Sequence, residues 1–229
     1  MQNRLLIIAI TLLFFSCGKE KIIQLPEIQN AKITEILDVS PAYIFYDETK
    51  QDSVELNRKN LIISTNWLVN VDKRLTLEQA LPKIKFLQDK KRNASLHKNE
   101  RARNYYTCND TSIKNLGFLD FTDVFYHKGS YSDYSRKTST IDTIPKAYLN
   151  IVNSNKIEIF KDTSFSNRVI ANKKNLIKQI INTQSLDLKE KFILSFNKEL
   201  TFQDYITIKS KLSDIKLESI SFSDNEFIY

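Results

Sequence analysis

The sequence predicts an α+β fold made of two tandem β-α-β-α-β units, each with its helices packed on a small mixed sheet. One reason is that short segments with alternating apolar residues are interleaved with segments of helical spacing. The other reason is a repeat, because residues 67–78 align without gaps on residues 192–203. A hydrophobic fraction of 41% is enough to fill a core for such a fold.

The first unit spans residues 41–126. Its expected elements are a strand at 44–47, a helix at 57–65, a strand at 67–71, a helix at 76–90 and a closing strand at 116–123. An insertion at 91–115, rich in Arg, Asn and Tyr, has no counterpart in the second unit. Three shorter matches flank the main repeat in the same order, and they pair residues 44–47 with 159–162, 57–62 with 172–177, and 116–123 with 217–224.

The second unit spans residues 151–229. Its expected elements are a strand at 156–162, a helix at 172–182, a strand at 191–196, a second helix and a terminal strand at 218–229. Asn197 or Thr201 can cap the second helix, because both side chains accept a hydrogen bond from a free backbone N–H. Residues 127–150 begin with a Tyr/Ser-rich stretch and are expected to form a linker.

Residues 1–16 have the layout of a secretory signal peptide. Arg4 supplies the positive charge, residues 5–15 are almost entirely apolar, and Ser16 is the small residue before the expected cleavage site. The apolar segment would rise only about 16 Å as a helix, which is roughly half the thickness of the hydrocarbon layer. It is therefore expected to direct export and to be removed.

The run Phe14-Phe-Ser-Cys-Gly18 resembles the lipobox of bacterial lipoproteins. The resemblance implies that the chain is cleaved before Cys17, that the Cys17 thiol is acylated, and that residues 17–40 form a tether. Acyl chains hold a protein to a bilayer without a membrane-spanning segment. The implied location is the bacterial cell envelope, at the outer membrane or the periplasmic face. The alternative is an ordinary signal peptide, or a short membrane anchor, with a chance cysteine.

Residues 191–206 carry a second resemblance, to the periplasmic domain of the ExbD/TolR family of biopolymer-transport proteins. In that family a strand ends in an alanine-aspartate-lysine turn, and an aromatic residue, an amphipathic helix and a closing strand follow. Phe196-Asn197-Lys198 stands at the position of the turn, and Phe202 stands at the position of the aromatic residue. Family members also have a membrane helix with an aspartate that takes part in proton-driven energy transduction. Residues 5–15 contain no acidic residue, so we expect no motor activity.

Few residues of this chain suit catalysis or the binding of a metal or nucleotide. His97, Cys108 and His127 lack the short paired spacings that are typical of zinc sites. The three glycines lie too far apart for a phosphate-binding loop, and the net charge of +7 comes from scattered lysines rather than from a basic cluster. We expect no metal, no cofactor and no nucleic acid. A hydrolase that uses Cys108, or a pair of acids such as Asp120 and Asp123 or Asp224 and Glu226, is a further alternative.

The expected function is non-enzymatic protein–protein interaction by a lipid-anchored envelope protein, with a transport-complex protein or a second copy as partner. Residues 219–229 are a candidate edge strand for pairing with a partner, and aromatic residues are typical of binding hot spots. The candidate partner-binding residues are Phe222, Phe227, Tyr229, Tyr105 and Tyr106. The alternative is a surface lipoprotein whose residues 91–140 bind a glycan or peptide.

Overall fold

The computed structural model describes residues 21–96, 98–138, 146–161, 168–184 and 189–229. Within these ranges the chain is mostly β, with two six-stranded mixed sheets and four short helices. One hydrophobic core contains residues of both sheets and of three of these helices. The prediction of two β-α-β-α-β units with helices on a small sheet is therefore wrong.

Twelve strands and four helices form from the described residues. The strands are β1 (Glu27–Ile28), β2 (Val39–Tyr46), β3 (Val54–Asn57), β4 (Asn66–Val71), β5 (Asn104–Asp110), β6 (Asn115–Asp120), β7 (Phe125–Lys128), β8 (Lys146–Asn153), β9 (Lys156–Phe160), β10 (Val169–Ala171), β11 (Glu190–Phe196) and β12 (Ile220–Ile228). The helices are α1 (Leu77–Arg92), α2 (Tyr131–Thr138), α3 (Leu176–Thr183) and α4 (Phe202–Ser213).

Both sheets contain the same central arrangement. In the first sheet β3, β2, β4, β5 and β6 lie side by side, and β1 also pairs with β5. In the second sheet the order is β10, β9, β8, β11, β12 and β7. Each sheet thus has an antiparallel hairpin, β2–β3 in the first and β8–β9 in the second. Two parallel strands lie beside the first strand of the hairpin, β4 and then β5 in the first sheet, and β11 and then β12 in the second. A helix connects those two neighbours, α1 in the first sheet and α4 in the second, as parallel strands require.

The two segments aligned by the sequence repeat contact each other across the middle of the molecule. A single antiparallel bridge joins Thr76 to Thr201. Four backbone hydrogen bonds surround it in two matching pairs, Leu77 N to Leu200 O (2.9 Å) with Phe202 N to Leu75 O (2.7 Å), and Glu78 N to Lys198 O (3.0 Å) with Gln203 N to Lys73 O (3.2 Å). Each bond maps onto its partner when the two units are exchanged, so the units meet across an approximate twofold axis.

Both helices at this contact begin with a capping threonine. Thr76 accepts from the N–H of Gln79 (3.3 Å), and the Gln79 side chain accepts from the N–H of Thr76 (2.9 Å), which is a capping box. Thr201 accepts from the N–H of Asp204 (3.1 Å) in α4. The same residue type thus ends the turn and starts the helix in each unit.

The helix expected at residues 57–65 is absent from the first unit, where the hairpin strand β3 is followed by turns. This segment folds against β4, because the indole N–H of Trp67 donates to Ile62 O (2.7 Å) and Ser40 pairs with Thr65 (2.7 Å). Local hydrogen bonds of this kind compete with a helix. Residues 57–62 and 172–177 match in sequence but differ in structure, because the first segment forms turns and the second leads into α3.

Among the described residues, parts of the segments expected as an insertion, a linker and a tether form strands of the two sheets. Residues 91–115 contain β5, whose Tyr106 and Cys108 are buried in the core. Residues 127–150 contain the end of β7, the helix α2 and half of β8. Within residues 17–40, Gln24 O accepts from Lys73 N (2.7 Å) and β1 pairs with β5. These segments are rich in aromatic and polar residues, so their composition does not indicate strands, although alternate residues of the strands are buried.

Candidate partner-binding groove

A groove runs along α4 where the second unit meets the first sheet. It has two joined compartments, with volumes of about 330 Å³ and 280 Å³, and Asn30, Ser210 and Asp214 line both of them. The first, which we call the polar compartment, is lined mainly by Gln29, Thr111, Gln203, Thr207 and Lys211. The second, which we call the apolar compartment, is lined mainly by Ala31, Ile33, Phe118, Leu119, Leu212 and Phe222. We refer to both together as the inter-unit groove.

One wall of the inter-unit groove is residues 27–33, which lie against β5 and β6. The buried Asp110 carboxylate accepts hydrogen bonds from the Ser112 hydroxyl (2.6 Å) and from the N–H of Ala31 (2.6 Å), and these bonds lower the Asp110 pKa to about 2. Gly117 is required for this approach, because a Cβ there would lie 2.5 Å from the Cβ of Ala31. Ile33 then pairs with Phe118, so backbone and carboxylate contacts fix this wall.

The opposite wall is one face of the helix α4. Gln203, Thr207, Ser210, Lys211 and Asp214 follow the helical spacing and line the groove, whereas apolar residues of α4 point into the core. Gln203 also ties the two walls together, because its amide accepts from the N–H of Glu27 (2.8 Å) and donates to Glu27 O (2.9 Å). The groove is therefore built from both units.

A chain of buried hydroxyl groups lies in the core and includes Tyr205 of the groove helix α4. The hydroxyls of Tyr106 and Tyr126 are 2.7 Å apart, those of Tyr126 and Tyr205 are 3.1 Å apart, and Tyr205 donates to Glu226 (2.8 Å). Lys209 donates to the other carboxylate oxygen of Glu226, which is completely buried. We call these three tyrosines and Glu226 the tyrosine chain. It joins β5, β7, α4 and β12, so it connects the two sheets.

The directions of the hydrogen bonds in the tyrosine chain follow from the proton count. A phenol has one proton, and Tyr205 gives its proton to Glu226. Tyr126 must therefore donate to Tyr205, and Tyr106 must donate to Tyr126. Burial raises the pKa of all three hydroxyls well above its usual value, and the nearby charge of Glu226 raises the pKa of Tyr126 and Tyr205 further.

Two of the five candidate partner-binding residues belong to this region. Phe222 lines the apolar compartment and is partly buried, with its ring 5.8 Å from that of Phe192. Tyr106 is buried in the tyrosine chain and lines neither compartment, and its ring is stacked on Phe121 with a centroid distance of 3.8 Å. Only Phe222 is therefore placed to contact a partner in the groove.

The other three candidates lie elsewhere. Phe227 is fully buried on the outer face of the second sheet, where Tyr131 and Tyr134 of α2 cover it with centroid distances of 5.4 Å and 5.3 Å. Tyr229 is 38% exposed at the end of the chain, and Tyr105 is partly exposed on the first sheet. Cys17, the expected site of lipid attachment, lies outside the described residues.

The terminal strand is an edge strand only in its first half. Strand β7 pairs in parallel with Asn225–Ile228 of β12 and covers that part of the edge. On this side residues 220–224 have no strand partner among the described residues. The open half contains Phe222, so it borders the apolar compartment.

Of the groups considered for nucleophilic catalysis, Cys108 and His127 lie in the described part of the chain. Cys108 is fully buried, and burial raises the pKa of its thiol well above the usual range, so the nucleophilic thiolate is disfavoured. The His127 ring nitrogen Nε2 pairs with the side chain of Asn225 (2.7 Å). His97 lies outside the described residues.

The polar side of the groove was not found from the sequence. Residues 27–33 fall within the expected tether, and no local pattern indicates that this segment pairs with β5, about eighty residues away. The spacing of Gln203, Thr207, Ser210 and Lys211 does mark a polar face of α4. A polar helix face normally faces solvent, so that signal alone does not indicate a groove.

Among the described residues, no helix has the length and apolar character needed to cross a bilayer. No group of three or more His, Cys, Asp or Glu side chains that could hold a metal ion occurs in the same ranges. Comparisons with family models, with curated proteins and with solved structures give no match.

Proposed function

We propose that this chain is a lipid-anchored, non-enzymatic envelope protein that binds a partner protein through the inter-unit groove. The observation that carries the proposal is the groove itself, because it combines an apolar compartment with a row of hydrogen-bonding side chains. Binding sites commonly join apolar area to a few placed polar groups. Its walls come from both units, so the groove exists only when the two units are docked.

The resemblance to ExbD/TolR periplasmic domains supports a role beside a biopolymer-transport complex. Strand β11 leads into a turn at Asn197, and the buried aromatic Phe202 begins the amphipathic helix α4. Strand β12 follows and lies beside β11. This order of strand, turn, aromatic residue, helix and closing strand is the pattern on which the resemblance rests. The proposed partner is therefore a protein of such a complex.

Acylation of Cys17 would place the groove close to a membrane. Gln24 is already fixed to the turn at Lys73, so the free tether is at most residues 17–24. The seven residue-to-residue steps from Cys17 to Gln24 span at most about 25 Å when fully extended. A protein held at this distance meets partners that are themselves in, or attached to, the same membrane.

A pull-down from solubilised envelopes tests this proposal. The bait is the full acylated chain, and the variant Ser210→Trp places a bulky ring where the two compartments meet. The control is Lys85→Trp, because Lys85 is exposed on the outer side of α1. We expect a protein of a proton-driven transport complex to co-purify with the wild type and with Lys85→Trp and to be lost with Ser210→Trp.

Two results would contradict the proposal. If wild type and both variants retain the same envelope proteins, the groove is not the binding surface. If the wild type retains no envelope protein, the adaptor function is wrong. Lipid anchoring is tested separately by feeding cells an alkyne-labelled palmitate, which we expect to label the wild type and not Cys17→Ser.

A further inference from the structure

Resting on the proposed function, we propose that the inter-unit groove takes an extended peptide segment in which an apolar side chain lies one or two residues from a carboxylate. The apolar side chain occupies the apolar compartment, and the carboxylate pairs with Lys211. Three independent observations carry this assignment, namely the shape of the apolar compartment, the charges along the groove and the open half of β12.

The apolar compartment accepts a large side chain. It is an open compartment with a volume of about 280 Å³, and most of its exposed lining is carbon surface from residues 31–33, β6, α4 and β12. Phe118 and Leu212 are buried in its walls, and Phe222 is partly exposed to it. An apolar side chain that enters the compartment removes this exposed carbon surface from water, which favours binding.

The charges along the groove leave one cation without an acid. Glu27 pairs with Lys73 (2.7 Å), and Lys32 pairs with Asp214 (3.5 Å). Asp120 is held by Arg103, and Lys209 is held by Glu226. Lys211 lines the polar compartment and has no carboxylate partner among the described residues. A ligand with a carboxylate can therefore form an ion pair with Lys211, whereas a ligand with a cation is repelled by it.

The open half of β12 sets the backbone conformation of the peptide. Residues 220–224 border the apolar compartment through Phe222 and have no strand partner on the β7 side within the described chain. Strand addition to such an edge supplies main-chain hydrogen bonds, and alternate side chains then enter pockets. The side chains of Gln29 and Asn30 supply further donors and acceptors for the peptide main chain in the polar compartment.

Selection from a random heptapeptide library on phage tests the assignment, with the full chain in detergent micelles as target. We expect the enriched peptides to share an apolar residue with Asp or Glu one or two positions away. A labelled synthetic copy of one enriched peptide then gives affinities by fluorescence anisotropy. Lys211→Glu should weaken binding about tenfold, the size of effect a close charge pair produces. Lys85→Glu, a charge reversal on the exposed face of α1, should leave binding unchanged.

Several outcomes would overturn the assignment. These are the absence of any enriched sequence, enrichment of peptides without acidic residues, or equal effects of Lys211→Glu and Lys85→Glu. The envelope pull-down separates this failure from that of the proposed function. One result is that Ser210→Trp still abolishes partner binding while the selected peptides lack an acidic residue. In that case the groove does bind a partner, but the ligand is not an acidic peptide. If Ser210→Trp also leaves the partner bound, both are wrong.

Discussion

Removing one hydroxyl from the middle of the tyrosine chain should destabilise the whole protein. Tyr126→Phe deletes the group that accepts from Tyr106 and donates to Tyr205, at distances of 2.7 Å and 3.1 Å. Each lost bond costs about 1 kcal/mol, and the stranded Tyr106 donor in a buried site adds a similar amount. We expect the free energy of unfolding to fall by about 2–3 kcal/mol, which lowers Tm by roughly 5–10 °C for a chain of this size.

Urea unfolding followed by circular dichroism measures this change, with Tyr43→Phe as the matched control. Tyr43 stacks on Phe45, and its hydroxyl has no hydrogen-bond partner among the described residues, so we expect less than about 0.5 kcal/mol. The double variant Tyr106→Phe/Tyr126→Phe removes the stranded donor as well. It should cost about 2 kcal/mol less than the sum of the single changes, because both single changes remove the Tyr106–Tyr126 bond and the double variant strands no donor. A cost for Tyr126→Phe no larger than for Tyr43→Phe would refute the hydrogen-bonded chain.

Three further predictions concern titration, thiol reactivity and packing. Because folding raises the pKa of the three phenols of the tyrosine chain, their contribution to stability is complete below about pH 10 and is lost as the pH rises further. Absorbance at alkaline pH should show at least three of the ten tyrosines un-ionised at about pH 11 until the protein unfolds; ionisation of all ten in the folded protein would contradict this. Cys108 should react with Ellman's reagent only after unfolding, and fast reaction in native buffer would show that it is accessible. Gly117→Ala should cost about 1–3 kcal/mol in thermal unfolding, since the new Cβ meets Ala31; an unchanged Tm would mean that residues 28–33 do not pack as described.

The parts of the fold that follow from sequence are those with local signals. The segment from Trp67 to Thr76 combines a short apolar run of high β propensity with a threonine before the helix, and the strand, turn and helix begin as these patterns indicate. The equivalent segment from Phe192 to Thr201 behaves in the same way. The two segments contact each other across the approximate twofold axis, so each makes the same backbone hydrogen bonds to the other. This equivalence accounts for the pattern that they share.

The parts that do not follow from sequence depend on long-range pairing. Strand β5 has an unusual composition for a central strand, and it is stable there because Tyr106 completes the tyrosine chain and Cys108 is packed in the core. Strand β7 was expected in part as a linker, yet it pairs with β12 about a hundred residues later. The groove depends on both kinds of pairing, because residues 27–33 reach it only through β5. No local periodicity encodes such contacts.

The most direct test of the partner-binding groove is site-specific photo-cross-linking in intact cells. A photoreactive phenylalanine analogue replaces Ser210 in one strain and Lys85 in another, so that the probe lies in the groove or on the exposed face of α1. We expect irradiation to join the groove probe to a protein of an envelope transport complex, whereas the α1 probe forms no such product. Cross-linking of the same protein at both positions, or at Lys85 alone, would contradict binding through the groove.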